Sequence, residues 1–218
     1  MPSAADRKLV RGLLEQAGTT YAEQAGIRLQ DKPMPLFQLL ALCMLASKPI
    51  DAAIATRAAR ELFRSGLRTP ESVLDADRST MISAFGRAHY VRYDESSATR
   101  LTDIASAVHE KYGDDLRVLA ERSHGDAAAA RRLLKQFKGI GDTGADIFLR
   151  EVQDHWTWVR PFFDERTVAA ARALGLPDRT DELGALAPRS TAKLAAALVR
   201  VSLDADLRDN VLRVGRDQ

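Results

Sequence analysis

The sequence predicts an all-α protein of about ten helices, and three observations carry that expectation. Apolar residues recur at helical spacing almost throughout, strand-like alternation is nearly absent, and the breaks between stripes fall at helix-capping residues. Ile54, Ala58 and Leu62 repeat at i, i+4 and i+8 behind Asp51, a residue suited to the N-cap. Thr69-Pro70-Glu71 reads as a helix start, with proline in the first turn where its missing N–H is no loss. Leu101, Ile104, Ala105, Val108 and Tyr112 form a stripe stopped by Gly113. Asp126 is expected to cap a helix over residues 127–137, and Ala145, Phe148, Leu149 and Val152 give the next stripe. Asp164 precedes a helix that Gly175 and Pro177 end, and Ser190 caps a last long helix carrying Leu194, Leu198 and Val201. Residues 36–46 are apolar on nearly every side, Gln38 being the main exception, which places that helix at the centre of a domain.

Composition narrows the function classes. The 218 residues are 45% hydrophobic and 28% charged, ordinary for a globular protein, and carry a formal charge of +2. One cysteine, Cys43, excludes an internal disulfide, a cysteine-based zinc site and a four-cysteine iron–sulfur cluster. The histidines, His89, His109, His124 and His155, fall at no metal-ligand spacing. The N-terminal Met-Pro-Ser-Ala-Ala-Asp-Arg-Lys lacks the apolar core of a signal peptide. The longest apolar run, residues 39–46, is far short of the ~20 residues that span a bilayer. The expectation is a soluble intracellular protein with no membrane association.

The neutral total hides a local charge. Arg122, Arg131, Arg132, Lys135 and Lys138 against Asp126 alone give residues 122–138 a net charge of +4. This segment runs into Gly139-Ile140-Gly141, a tight turn between two amphipathic helices. The glycines are expected to allow positive φ, and Ile140 to plug the turn into the core. A turn of this kind points backbone N–H groups outward at the start of the next helix, an arrangement that binds phosphate. Asp142 and Asp146 add negative charge at that helix start, and Asp142 is suited to the N-cap. An ordinary helical hairpin with a solvated basic face fits the same residues.

Taken together, these segments resemble the helix-hairpin-helix (HhH-GPD) DNA glycosylase superfamily, most closely its endonuclease III-like branch. The family hairpin reads L-P-G-[VI]-G-x-[KYSW]-[TG]-A, and residues 137–145 fit it with Lys138 in place of proline. Pro161-Phe162-Phe163-Asp164-Glu165-Arg166-Thr167-Val168 is similar to the segment that brings the family's aspartate to a helix start. Residues 36–51 look like the family's buried central helix and the loop after it, which enters the DNA stack. Phe85-Gly86-Arg87 and the helix after Tyr93 follow in the family's order, so the resemblance spans roughly residues 30–205.

The resemblance implies a two-lobed helical fold. One domain, residues 33–156, would contain the hairpin; residues 1–32 and 157–218 would form the second. It implies a base-excision enzyme that hydrolyses the N-glycosidic bond of a damaged or mispaired base in double-stranded DNA. Asp164 would be the catalytic carboxylate, stabilising the oxocarbenium character that develops on the sugar. DNA contacts would come from Lys138, Gly139, Ile140, Gly141, Thr143 and Gly144 of the hairpin, from Ser47 and Lys48 of the loop, and from Arg87. Bifunctional relatives carry a lysine where this chain has Thr143, which cannot form an imine; this favours a monofunctional enzyme over an AP lyase. The iron–sulfur loop of many relatives is missing, since no cysteine follows Leu203. No cofactor is therefore expected, although the family's hairpin often holds a monovalent cation through backbone carbonyls. The implied protein is a monomer, cytoplasmic and associated with the nucleoid. The alternatives are a non-catalytic helix-hairpin-helix DNA-binding protein, and a bifunctional enzyme using a displaced lysine.

Other side chains allow two roles. Arg87, His89, Tyr90, Arg92 and Tyr93 could meet the DNA backbone and a displaced base, or the tyrosines could anchor the next helix. Trp156 and Trp158 could line a base pocket or fill the core.

Overall fold

The computed structural model describes residues 3–217, with side chains described as far as residue 213. Helices are the regular structure of the described residues, joined by turns and loops, without a strand. In order they form α1 (Ala4–Ala17), α2 (Tyr21–Ala25), α3 (Pro33–Ala46), α4 (Ala52–Arg64), α5 (Pro70–Leu74), α6 (Arg78–Arg87) and α7 (Asp94–Tyr112). These are followed by α8 (Arg117–Arg122), α9 (Ala127–Leu134), α10 (Asp142–Val152), a 3-10 turn (Thr157–Val159), α11 (Glu165–Ala173), α12 (Thr180–Leu186), α13 (Thr191–Leu203) and α14 (Ala205–Asp217). The sequence expectation of about ten falls short because α2, α8 and α12 have at most seven residues, too few for an apolar period to register. α13 is not the last helix, because the chain turns at Asp204 into α14. α9 stops at Leu134 rather than at residue 137, where the amides of Gln136 and Phe137 turn back to the carbonyls of Leu133 and Leu134.

Local chemistry starts the helices where the sequence suggests. Asp51 accepts from the Ala53 amide at 2.6 Å and Asp126 from the Ala128 amide at 2.8 Å. Thr69 and Ser72 form a reciprocal capping box at α5. Ser190 precedes α13 without a side-chain cap bond.

The chain divides into two compact units, Ala22–Phe148 and Met1–Tyr21 with Leu149–Gln218. Both boundaries fall earlier in the chain than residues 33 and 156. In the first unit α3 is the centre: every side chain from Leu36 to Leu45 is buried, with α4 and α7 packed on it. A helix apolar on all faces can satisfy that surface only by being surrounded. In the second unit α13 packs against α1, α11 and α14 around Val10, Leu13, Leu194, Leu198 and Val201. No helix among the described residues is long and apolar enough to cross a membrane.

Candidate nucleic-acid interface and carboxylate site

The hairpin between α9 and α10 is pinned from below and open above. Leu134, Phe137 and Ile140 are buried, and the Phe137 ring packs on Tyr112 with centroids 5.6 Å apart. Gly139 has φ +94°, a conformation that a residue with a Cβ adopts only under strain. Gly144 is needed for a different reason: a Cβ there would lie 2.6 Å from Ser47 Oγ and 3.3 Å from Ile140 Cγ2. Ser47 closes α3 and donates to the Cys43 carbonyl at 2.5 Å, so the loop after α3 and the start of α10 are in contact. Gly141 departs from expectation, with no positive φ and nothing within 4 Å of the Cβ it lacks. Gly141, Asp142 and Thr143 are exposed, and the first-turn amides of a helix have no partner within it.

The contact makes a prediction about stability. Gly144→Ala is expected to cost about 1–3 kcal/mol in chemical denaturation, the range for overpacking a filled site. Adding Ser47→Ala removes the clashing hydroxyl and is expected to recover most of that loss.

The +4 segment does not present four free charges. Arg131 makes a paired contact with Asp146, at 2.6 and 3.1 Å, and reaches Asp142 at 2.9 Å. Lys135 donates to Asp142 at 2.7 Å, and that bond, ahead of the nearby arginine, holds the Asp142 carboxyl below its ordinary range. Asp142 is the first residue of α10, tied to Arg131 of α9 and to Lys135 just after it, and does not cap the helix. Arg122 lies over the Tyr112 ring at 5.0 Å. Lys138 remains exposed, its ammonium 3.9 Å from Asp103 of α7.

The other expected contacts separate into two groups. Lys48 lies over the Tyr93 ring at 5.9 Å and Arg92 over the same ring at 5.3 Å, a cation–aromatic cluster next in sequence to Ser47. Tyr90 is fully buried, with its hydroxyl 3.2 Å from Ser97 Oγ, and so anchors α7. Arg87 is engaged by α4: it pairs with Glu61 at 2.9 Å and donates to Ser65 Oγ at 2.6 Å. That pairing draws the Glu61 carboxyl below its ordinary range. Trp156 is buried and stacks on Trp158 with centroids 5.5 Å apart.

Asp164 belongs to the other unit. One carboxylate oxygen accepts from the Thr167 amide at 2.9 Å, making Asp164 the N-cap of α11. The other accepts from Arg150 Nη1, and the two side chains are only 10% and 7% exposed. Gln153 sets this arrangement. Its amide donates to the carbonyls of Arg150 at 3.0 Å and Phe162 at 3.1 Å, while its oxygen accepts from the Phe162 amide at 2.8 Å. The Tyr21 amide donates to Glu151, next to Arg150 on α10, at 3.1 Å, and burial pushes the Tyr21 phenol up despite the arginines around it.

Four residues with roles at these sites were not singled out from the sequence. Arg100 supports Gly139 through its aliphatic stem, 3.4 Å from where a Cβ would stand, and Asp103 faces both Arg100 and Lys138. Arg150 pairs with Asp164, and Gln153 ties down the loop that leads to it. Arg150 could have been found as a charged residue within the apolar stripe that includes Leu149 and Val152. Among the described residues, no group of three or more His, Cys, Asp or Glu side chains is gathered as a metal site requires.

No protein-family model matches the chain and no curated protein matches it. Two solved structures are similar to it: a trapped endonuclease III–DNA covalent intermediate in an estranged-adenine complex, and a non-covalent endonuclease III–DNA complex. Each is 14% identical, with a TM-score of 0.49 over 92% of this chain and 86% of that chain.

Proposed function

We propose that this protein binds double-stranded DNA carrying a damaged or mispaired base and hydrolyses that base's N-glycosidic bond. The hairpin carries the reading. Exposed Gly141, Asp142 and Thr143 bring the first-turn amides of α10 to the surface, and buried Ile140 and the Ser47–Gly144 contact hold them there. Such a helix start favours an anion, and a fixed set of amides takes a backbone phosphate without reading the base. Gly141 fits this role, since nothing inside the protein requires it to be glycine and a missing side chain lets an outside backbone approach. Lys138 and Lys48 supply positive charge beside it, and a monovalent cation at the hairpin carbonyls belongs to the same reading.

Hydrolysis would use Asp164. As the base leaves with the bonding electrons, the sugar gains oxocarbenium character, and a carboxylate stabilises that charge and orients the water that adds to C1′, whose lost proton neutralises the departed base. Thr143 offers no amine to the sugar, so the product would be an intact abasic strand.

Binding without catalysis is the second reading, and one observation favours it. Arg150 sits on the Asp164 carboxylate, and a guanidinium there cancels much of the negative field that an oxocarbenium ion needs. Duplexes each carrying one lesion or mismatch decide between the two. The glycosylase reading expects free base from at least one duplex and no borohydride-trapped adduct with abasic DNA. Duplex binding with no base release across the set establishes the second reading, and a trapped adduct establishes a lyase.

A further inference from the structure

We infer that Asp103 and Asp142 are built-in electrostatic brakes that hold down the affinity of the hairpin for undamaged DNA. The inference rests on the DNA-binding reading above and concerns how that surface is regulated.

Four cations, Arg100, Arg131, Lys135 and Lys138, surround the hairpin, and three carboxylates, Asp103, Asp142 and Asp146, face them. The pairs are not equivalent. Asp146 and Arg131 share two hydrogen bonds with side chains 20% and 34% exposed, which makes that pair a tie between the helices. Asp142 is 63% exposed, stands on the first turn of α10, and occupies Lys135. Asp103 takes Arg100 at 2.8 Å and lies 3.9 Å from the 72%-exposed Lys138. Exposed pairs of this kind are weak, so a phosphate can displace the carboxylate from its cation. Each displacement brings the phosphate beside a carboxylate that stays in place on its second cation, Arg131 for Asp142 and Arg100 for Asp103, and like-charge proximity subtracts from binding.

The consequence is a surface that is nearly neutral until DNA arrives. Sequence-independent affinity scales with the number of phosphates that cations neutralise. A protein that must leave undamaged DNA quickly gains from limiting that number, and Asp103 and Asp142 limit it where the hairpin meets the backbone.

The test is binding of the full-length protein to a short undamaged duplex, followed by fluorescence anisotropy between about 50 and 200 mM salt. Asp103→Asn and Asp142→Asn keep the side-chain shape and remove the charge. Each is expected to tighten binding roughly three- to tenfold at the low-salt end and to steepen the salt dependence by about one unit of log–log slope. In the double variant the two gains should multiply. Measurable binding that is unchanged or weaker in both single variants overturns the brake and leaves the DNA-binding reading standing. No binding by wild type or any variant at low salt overturns that reading itself, and the brake with it.

Discussion

Arg150→Met is expected to lower folding stability by about 3–5 kcal/mol, read from the denaturation midpoint at constant slope. The variant leaves Asp164 charged, 10% exposed and without its cation, and removing one member of a buried pair is among the costliest single changes. Methionine fills similar volume with a flexible apolar chain, so the loss reports the charge more than a cavity. The double variant Arg150→Met/Asp164→Asn is expected to be more stable than Arg150→Met alone, because asparagine buries no charge and still accepts from the Thr167 amide. If the two substitutions simply add, the pair is not coupled and the role given to Arg150 is wrong. Arg150→Lys should fall between, since an ammonium on a shorter stem does not reproduce the guanidinium geometry.

Asp164→Asn is expected to reduce base release roughly 10²–10⁴-fold while duplex binding persists, the scale on which a positioned catalytic group is lost. Asparagine keeps the helix cap and removes the negative charge that an oxocarbenium ion would feel. It also leaves Arg150 without its partner, so the comparison belongs at a temperature where circular dichroism shows both proteins fully folded. Single-turnover release with protein in excess then separates chemistry from affinity. Equal release by wild type and variant would remove Asp164 from the mechanism.

How much of this was legible in the sequence depended on the distance over which each feature is determined. The caps at Asp51, Thr69, Asp126 and Asp164 were readable because each satisfies amides two or three residues away. The burial of α3 was readable because a helix apolar on every face leaves no alternative. The hairpin was readable as a turn, although its glycines divide the work unexpectedly: Gly139 by its φ, Gly144 by its approach to Ser47, Gly141 by no internal contact. Charge counting over residues 122–138 found the cations and missed their fate. Asp142 and Asp146 reach Arg131 and Lys135 only once the two helices fold back on each other. The Arg150–Asp164 pair was hidden for the same reason, its partners being joined by a loop that Gln153 ties down. α14 was missed although Leu207, Val211 and Val214 stand at i, i+4 and i+7 in the sequence; Leu207, Val211 and Leu212 pack into the core of the second unit.

Seating of the hairpin on a DNA phosphate is the central claim, and backbone amide resonances test it most directly. Isotopically labelled protein titrated with a short duplex should show its largest shifts at Gly141, Thr143 and Gly144, reversed by raising the salt concentration. Saturating duplex binding that leaves those amides in place would contradict it.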